Sequence, residues 1–410
     1  MGAALILFQY FRDISSPGDT SGAVLPHQIL LSLHCIWAVL VLLKQSKQES
    51  PLISRYSPCA SKACIWTLNV MMSASLLLMG CSKNNNSKDS AALADSKSEA
   101  PQESSPQCLA PLTLKPVKTF TAGERSYEFK GSVLNALYKD GDQTFVIGHL
   151  SDLKDAKKAN IANLKLFSQW FLSKKVDAVV VTGDLGDDQE NIESSLNAIA
   201  EVIQVPILAI IGNGECKTSF NDALASLNQK HPHVINMNLT RVFNADDASI
   251  VSLPGYYNPT FIHCTDGCRY FPSDVERLDT FVQHAPHKSR VLISHGPPRM
   301  SGAGAIDRLL GGNNVGDKAL AAFLKKKNHF PFGLFGNIQE AGGRASNLEG
   351  KAIQPETLTK ELYVNAGSAN AVRMPLLDGT ESIGMAAILT IEGDKALYET
   401  KRIPNEPAAE

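Results

Sequence analysis

Five polar side chains follow directly on five apolar runs. Asp152 comes after "FVIGHLS", Asp184 after "VVVTG", Asn213 after "LAIIG", His295 after "VLIS" and Asn337 after "GLFG". Carboxylate, imidazole and amide groups are the donors that hold divalent ions. Taken singly, each has a plain explanation, because Asp and Asn are common in turns and a lone His is usually a satisfied polar group. The repetition is what matters. In open α/β sheets, ligands bind beyond the carboxyl ends of the strands, so five such residues at five strand ends would converge on one cleft.

The elements that must position them are readable from hydrophobic periodicity. "TFVIGH", "VDAVVVTGD" and "VPILAIIGNG" read as buried strands. Between them, Leu164, Phe167, Trp170 and Phe171, then Ile192, Leu196, Ile199 and Ile203, recur at helical spacing. Strand, helix, strand, helix, strand implies a parallel sheet with right-handed crossovers. Its unbroken apolar strands imply that both faces are covered. Further on, "HVINMN", "ASIVSLPG", "RVLISHGPP", "PFGLFGN", "LYVNAGS", "GMAAILTIEG" and "KALYETKR" are strand-like, with helices expected at 273–284 and 316–327. So many strands require two layers. The expected fold is α/β, a two-layer mixed β-sandwich flanked by helices (αββα). Lys325, Lys326 and Lys327 read as the solvated end of a helix, where positive charge is favourable.

The order of the polar blocks resembles the calcineurin-like metallophosphoesterases. Their five blocks are D-x-H, G-D-x-x-[DN], G-N-H-[DE], an isolated His often in S-H-x-P, and G-H-x-H. Here they stand as "SDLKD", "GDLGD", "GNGE", "SHGPP" and "GNIQ", followed by "YVNAGSA". The resemblance spans roughly residues 144–370. It implies two bridged metal ions that clamp phosphoryl oxygens and activate a water. Asp152 would hold the first ion, Asp184 would bridge, and Asn213 and His295 would hold the second. Asp187 and Glu215 would support them.

The departures are as informative as the matches. Where the family has its first-block His, this chain has Lys154, and an ammonium has no lone pair to donate. The third-block His, which assists the leaving group, is Gly214. Asn337 and Gln339 replace two His of the last block. The first site would retain Asp152, Asp184 and Gln339. The second would retain Asp184, Asn213, His295 and Asn337. The resemblance so modified implies one divalent ion (Mn, Fe, Zn or Mg) rather than two, or none, with Lys154 standing in for the missing cation. His149, Arg299 and Glu340 are candidate replacements nearby, and Arg299 suits a phosphate. "GAGAIDRLLGGNN" is Gly-rich and could move over the cleft. It is not a P-loop, since no Gly-Lys-Ser/Thr follows.

The 410 residues are 44% hydrophobic and 20% charged, with a formal net charge of -2. That is globular composition without the basic excess of a nucleic-acid binder. The N-terminal part differs. An apolar run at 29–43 is short for a membrane span. A second at 65–80, after Lys62, ends in "LLLMGC". A basic flank, an apolar core and small residues describe a secretory signal, and Leu78-Met79-Gly80-Cys81 resembles a bacterial lipobox with Cys81 as the lipidated residue. The Ser-, Asn- and Pro-rich stretch that follows reads as a disordered tether. The resulting layout is an uncertain extension at 1–60, signal and lipobox at 61–81, tether at 82–111, domain at 112–403 and tail at 404–410. It places the protein at the bacterial cell envelope, held in a membrane by its lipid. Cys264 and Cys268 flank a turn, which suggests a bridged hairpin. A metal pair is the alternative, though no other Cys pair completes it.

Two functional readings follow. One is an exported, membrane-anchored phosphoesterase with a degenerate metal site. The other is a catalytically inactive relative that binds a phosphorylated small molecule or an envelope protein.

Overall fold

Three strands that the sequence pattern did not single out open the domain: β1 (Val117–Ala122), β2 (Arg125–Lys130) and β3 (Val133–Ala136), paired as antiparallel hairpins. Then come β4 (Thr144–Leu150), α1 (Lys158–Ser173), β5 (Ala178–Val181), α2 (Gln189–Ala200), β6 (Ile207–Ala209), α3 (Lys217–Lys230) and β7 (Val234–Asn236). The second half holds β8 (Val242–Asn244), β9 (Ser249–Leu253), α4 (Pro272–Glu276), α5 (Leu278–Val282), β10 (Arg290–Ser294), α6 (Lys318–Lys327), β11 (Phe332–Phe335), β12 (Arg344–Ser346), β13 (Ala352–Ile353), β14 (Leu362–Asn365), β15 (Met374–Pro375), β16 (Glu381–Ser382), β17 (Met385–Glu392) and β18 (Lys395–Arg402). This computed structural model describes residue 105 and residues 107–403. The apolar runs at 29–43 and 65–80, Cys81 and the tail lie outside the described residues. Among the described residues, no helix is long and apolar enough to cross a membrane.

Two large sheets carry the domain. One has six strands in the order β18-β17-β4-β5-β6-β7, with β4 to β6 parallel as expected, β7 continuing the parallel run and β17 antiparallel to β4. The other has ten, in the order β1-β2-β3-β8-β9-β10-β11-β14-β12-β13. Their inner faces form one apolar cluster: Phe145, Ile147, Val180 and Leu208 from the first sheet join Phe243, Ile250, Val291 and Leu334 from the second. The rings of Phe145 and Phe243 meet across the gap with centroids 6.4 Å apart. On the outer side, Leu164, Phe167 and Phe171 of α1 cluster with Val179 and Val181 of β5. The fold is therefore mixed α/β, two sheets face to face with helices outside.

Local differences have local causes. The helix expected at 273–284 is split into α4 and α5 at Arg277. α6 ends at Asn328, which adopts φ +50°, a common left-handed stop, just after the three lysines. Residues 107–111, expected in the tether, pack onto the domain: Cys108 and Leu109 are buried, and the Ala110 N–H donates to Asn238 O at 3.0 Å. The expected Cys264–Cys268 hairpin bridge is overturned. Cys108 pairs with Cys268, and Cys216 with Cys264. The turn between Cys264 and Cys268 does form, with Gly267 N–H donating to Cys264 O at 3.0 Å, but each cysteine faces a different element.

Candidate functional site

The residues after β4, β5, β6, β10 and β11 do meet. Two glycines make this possible. A side chain at Gly183 would put Cβ 2.6 Å from the Gly212 backbone, and one at Gly212 would run into Asp184 Oδ1. The Gly-Asp and Gly-Asn pairs thus let β5 and β6 deliver their polar residues side by side. Asp152, Lys154, Asp184 and Asn337 all have positive φ, at 54°, 67°, 55° and 61°. Asp and Asn accept the left-handed region readily, whereas Lys does so at a cost. Lys154 is held there by its N–H, which donates to Asp184 O at 2.8 Å. Non-glycine residues in this region gather at functional sites.

The two carboxylates are bridged by an ammonium. Lys154 Nζ lies 3.1 Å from Asp152 Oδ1 and makes a short ion pair with Asp184 Oδ2. Asp152 accepts three further hydrogen bonds: Gln339 Nε2 on Oδ1 at 2.8 Å, and Ser151 Oγ and the Asn337 N–H on Oδ2 at 2.8 and 2.9 Å. Asp184 Oδ1 accepts the N–H groups of Asn213 and Gly214 at 3.1 and 2.9 Å. Burial opposes charge on Asp184, but His295 and Lys154 hold its carboxyl well below the usual range. Burial likewise opposes charge on Lys154, yet Asp152 and Asp184 more than offset it and raise its pKa. Asp184 and Lys154 are therefore an ionised pair.

His295 is buried beside them. Its Nδ1 is 2.6 Å from Thr182 O, a carbonyl that only accepts, so Nδ1 carries the proton. Its Nε2 is 2.7 Å from Asn213 Oδ1 and 3.4 Å from Asp184 Oδ1. Asn213 donates its amide nitrogen to Phe261 O at 2.7 Å, which fixes the oxygen toward His295. Three lone-pair atoms thus face one another and need a proton or a cation between them.

These contacts test the fit of metal ions. Asp152, Asp184 and His295 are close enough to form a candidate metal site. The first position does not fit, because Lys154 lies between its carboxylates. The second fits one ion through Asp184, Asn213 and His295, a mixed oxygen and nitrogen set. Asn337 and Gln339, expected as oxygen ligands, act here as donors. The side-chain nitrogen of Asn337 goes to the Tyr256 hydroxyl at 2.9 Å, and that of Gln339 goes to Asp152.

Glu215 supports from below. It accepts the Leu185 N–H, and the Gly212 N–H at 2.9 Å, which ties the β5 and β6 turns together. Burial and the charge of Asp184 push its pKa up. Asp187 is exposed on the cleft rim, and the neighbouring Asp188 is the residue that caps α2. Arg299 is exposed on the same rim. The Gly-rich loop at 302–314 is fastened by buried Asp307, which accepts from Met300 N, Gly316 N and Asn314 Nδ2 at 3.1, 2.9 and 2.7 Å. His149 is buried 3.0 Å from Thr182 Oγ1 and does not line the cleft, and neither does Glu340. The cleft has a volume of about 580 Å3. Tyr256, Tyr257, Phe261 and His263 line it and were not singled out from the sequence. A signal was present: β9 also ends in Gly then a hydrogen-bonding side chain, Gly255-Tyr256.

Residues 145–336 match the family model of calcineurin-like phosphoesterases. Similar solved structures include TT1561 of Thermus thermophilus, with 14% identity and a TM-score of 0.43, covering 63% of this chain and 99% of that one. A dimetal phosphatase from Danio rerio has 12% identity and a TM-score of 0.41, covering 64% of this chain and 96% of that one. GAP50, described as the anchor in the inner membrane complex of Plasmodium, has 13% identity and a TM-score of 0.41, covering 65% of this chain and 87% of that one. No curated protein matches the sequence.

Proposed function

We propose that residues 145–336, a calcineurin-like phosphoesterase domain, bind the phosphoryl group of a phosphorylated small molecule without effective turnover. The observation that carries this reading is Lys154 paired to both Asp152 and Asp184. Its ammonium supplies positive charge where the family places its first cation. An ion held by Asp184, Asn213 and His295 would supply Lewis-acid charge beside it. Arg299 on the rim adds a guanidinium suited to phosphate.

Hydrolysis needs more than charge. A proton must reach the leaving oxygen, a contribution worth roughly 10²–10⁴-fold, and Gly214 carries no side chain to bring it. The gap is not an open socket either. A Cβ at Gly214 would sit 3.1 Å from Asp184 Oδ1, which accepts the Gly214 N–H at 2.9 Å. Positive charge and recognition are retained, and the imidazole that the third block supplies for proton delivery is not.

The domain is read as exported and lipid-anchored at a bacterial cell envelope through Cys81. The signal-like run before Cys81 and the polar tether after it support that reading. So do the two disulfides, a feature of oxidising compartments.

The test pairs calorimetry of inorganic phosphate with metal counting and a phosphate-release assay. Wild type and Asp184→Asn are compared, with and without added Mn. Binding in wild type, no more than one ion per chain, and release no faster than in Asp184→Asn are expected. Turnover that disappears in Asp184→Asn would instead make the protein a one-ion phosphoesterase.

A further inference from the structure

The cleft is larger and more apolar than a bare phosphate ion requires. Its volume of about 580 Å3 lies within the range of small-molecule sites, roughly 300–1,000 Å3. Beside the charged floor, the lining includes Tyr256, Tyr257, Phe261, Leu309 and Val315. Phe261 is the telling one. The residue is 52% exposed. A scattered exposed Phe needs no explanation, but this one stands on a cleft wall in a segment fastened at many points.

The segment between Asn258 and Cys268 is tied at both ends and in its middle. Cys264 is bridged to Cys216 at the start of α3, and Cys268 to Cys108. Asp266 pairs with Lys217 at 2.6 Å and accepts the Thr218 hydroxyl at 2.6 Å. Asn258 caps the short turn Pro259–Phe261. Asn213 holds the segment twice, donating to Phe261 O and accepting the His263 N–H at 3.0 Å. Across the cleft, the Tyr257 hydroxyl donates to Val315 O at 2.7 Å, joining the aromatic wall to the loop that carries Leu309. So much fixation keeps a large apolar side chain in water. A preorganised apolar surface of this kind favours a rigid, flat partner, since little ordering is left to be done on binding.

We infer that the ligand is a phosphoester of a planar aromatic group, with its phosphoryl end at Lys154 and its ring against Phe261 and Tyr257. This rests on the phosphoryl-binding reading above and specifies the rest of the ligand. Phe261 positions the ligand and takes no part in any chemistry.

Phe261→Ala is a clean probe. The side chain is half exposed, and the contact with Asn213 uses only the backbone carbonyl, which alanine keeps. Calorimetry would compare inorganic phosphate, glycerol phosphate and phenyl phosphate on wild type and Phe261→Ala. In wild type, phenyl phosphate binds about 3- to 10-fold tighter than glycerol phosphate, the scale of one aromatic contact. In the variant that preference disappears, while inorganic phosphate binds as before. Equal affinity for the two esters in wild type, or a preference that survives in Phe261→Ala, overturns the aromatic assignment and leaves phosphoryl binding standing. No binding of any of the three overturns both.

Discussion

At the scale of single residues, one substitution changes what the site is. An imidazole donates a lone pair, whereas the Lys154 ammonium donates protons and brings its own charge. Restoring the donor should restore demand for metal. Lys154→His is expected to gain about one ion per chain by mass spectrometry. Its melting temperature should rise by roughly 5 °C when Mn is supplied at about a hundredfold over its dissociation constant. Wild type should respond less, and equal responses would remove the case for Lys154 as the substitute cation. A second residue prediction concerns His149, whose Nδ1 has no hydrogen-bond partner among the described residues. Burial pulls its pKa from 6.5 to about 3. The unfolded chain therefore takes this proton first, so the stability His149 contributes is complete above about pH 6.5 and is lost progressively as pH falls toward 3. Urea midpoints measured from pH 7 to pH 4 should fall less steeply in His149→Asn than in wild type, and parallel slopes would contradict the assignment.

At the scale of elements, strands were legible where they were continuous and apolar. β4, β5, β6, β10 and β11 end in residues that could be named from the sequence, because a buried strand stops abruptly at Gly or Ser plus a polar side chain. Tyr256 escaped because an aromatic after a strand reads as core. β1 and β2 escaped because "TFTAGERSYEFK" is mostly polar and largely exposed near the sheet edge, and β3 because its "VLNA" is only four residues long. Cysteine pairing was illegible for another reason: Cys108 and Cys268 are 160 residues apart and meet only once the domain has folded. The packing of α1 offers a test at this scale. A Cβ on Gly148 of β4 would lie 2.8 Å from the Phe171 ring. Gly148→Ala should cost about 1–3 kcal/mol in urea unfolding. The double variant with Phe171→Leu should cost less than the sum of the singles, because the smaller side chain relieves the clash. Strict additivity would mean that the two do not touch.

At the scale of the whole molecule, the apolar core between the sheets does not include Asp152, Lys154 or Asp184 at their ends. The fold can persist while the chemistry at its strand ends changes, so the calcineurin-like blocks remain recognisable although four of their imidazole positions hold Lys154, Gly214, Asn337 and Gln339. The bridge from Cys108 to Cys268 also sets how the molecule responds to tension. If the segment before Cys108 is a leash, a tug on it enters the domain at Cys108 and crosses at once to Cys268, at the base of the aromatic wall. The intervening loop of 160 residues is closed and cannot pay out as slack. Stretched between its termini in an optical trap, the oxidised protein should unravel to a contour roughly 550 Å shorter than the reduced one, at about 3.3–3.6 Å per residue. The leash and the cleft wall are, mechanically, the same strand of rope.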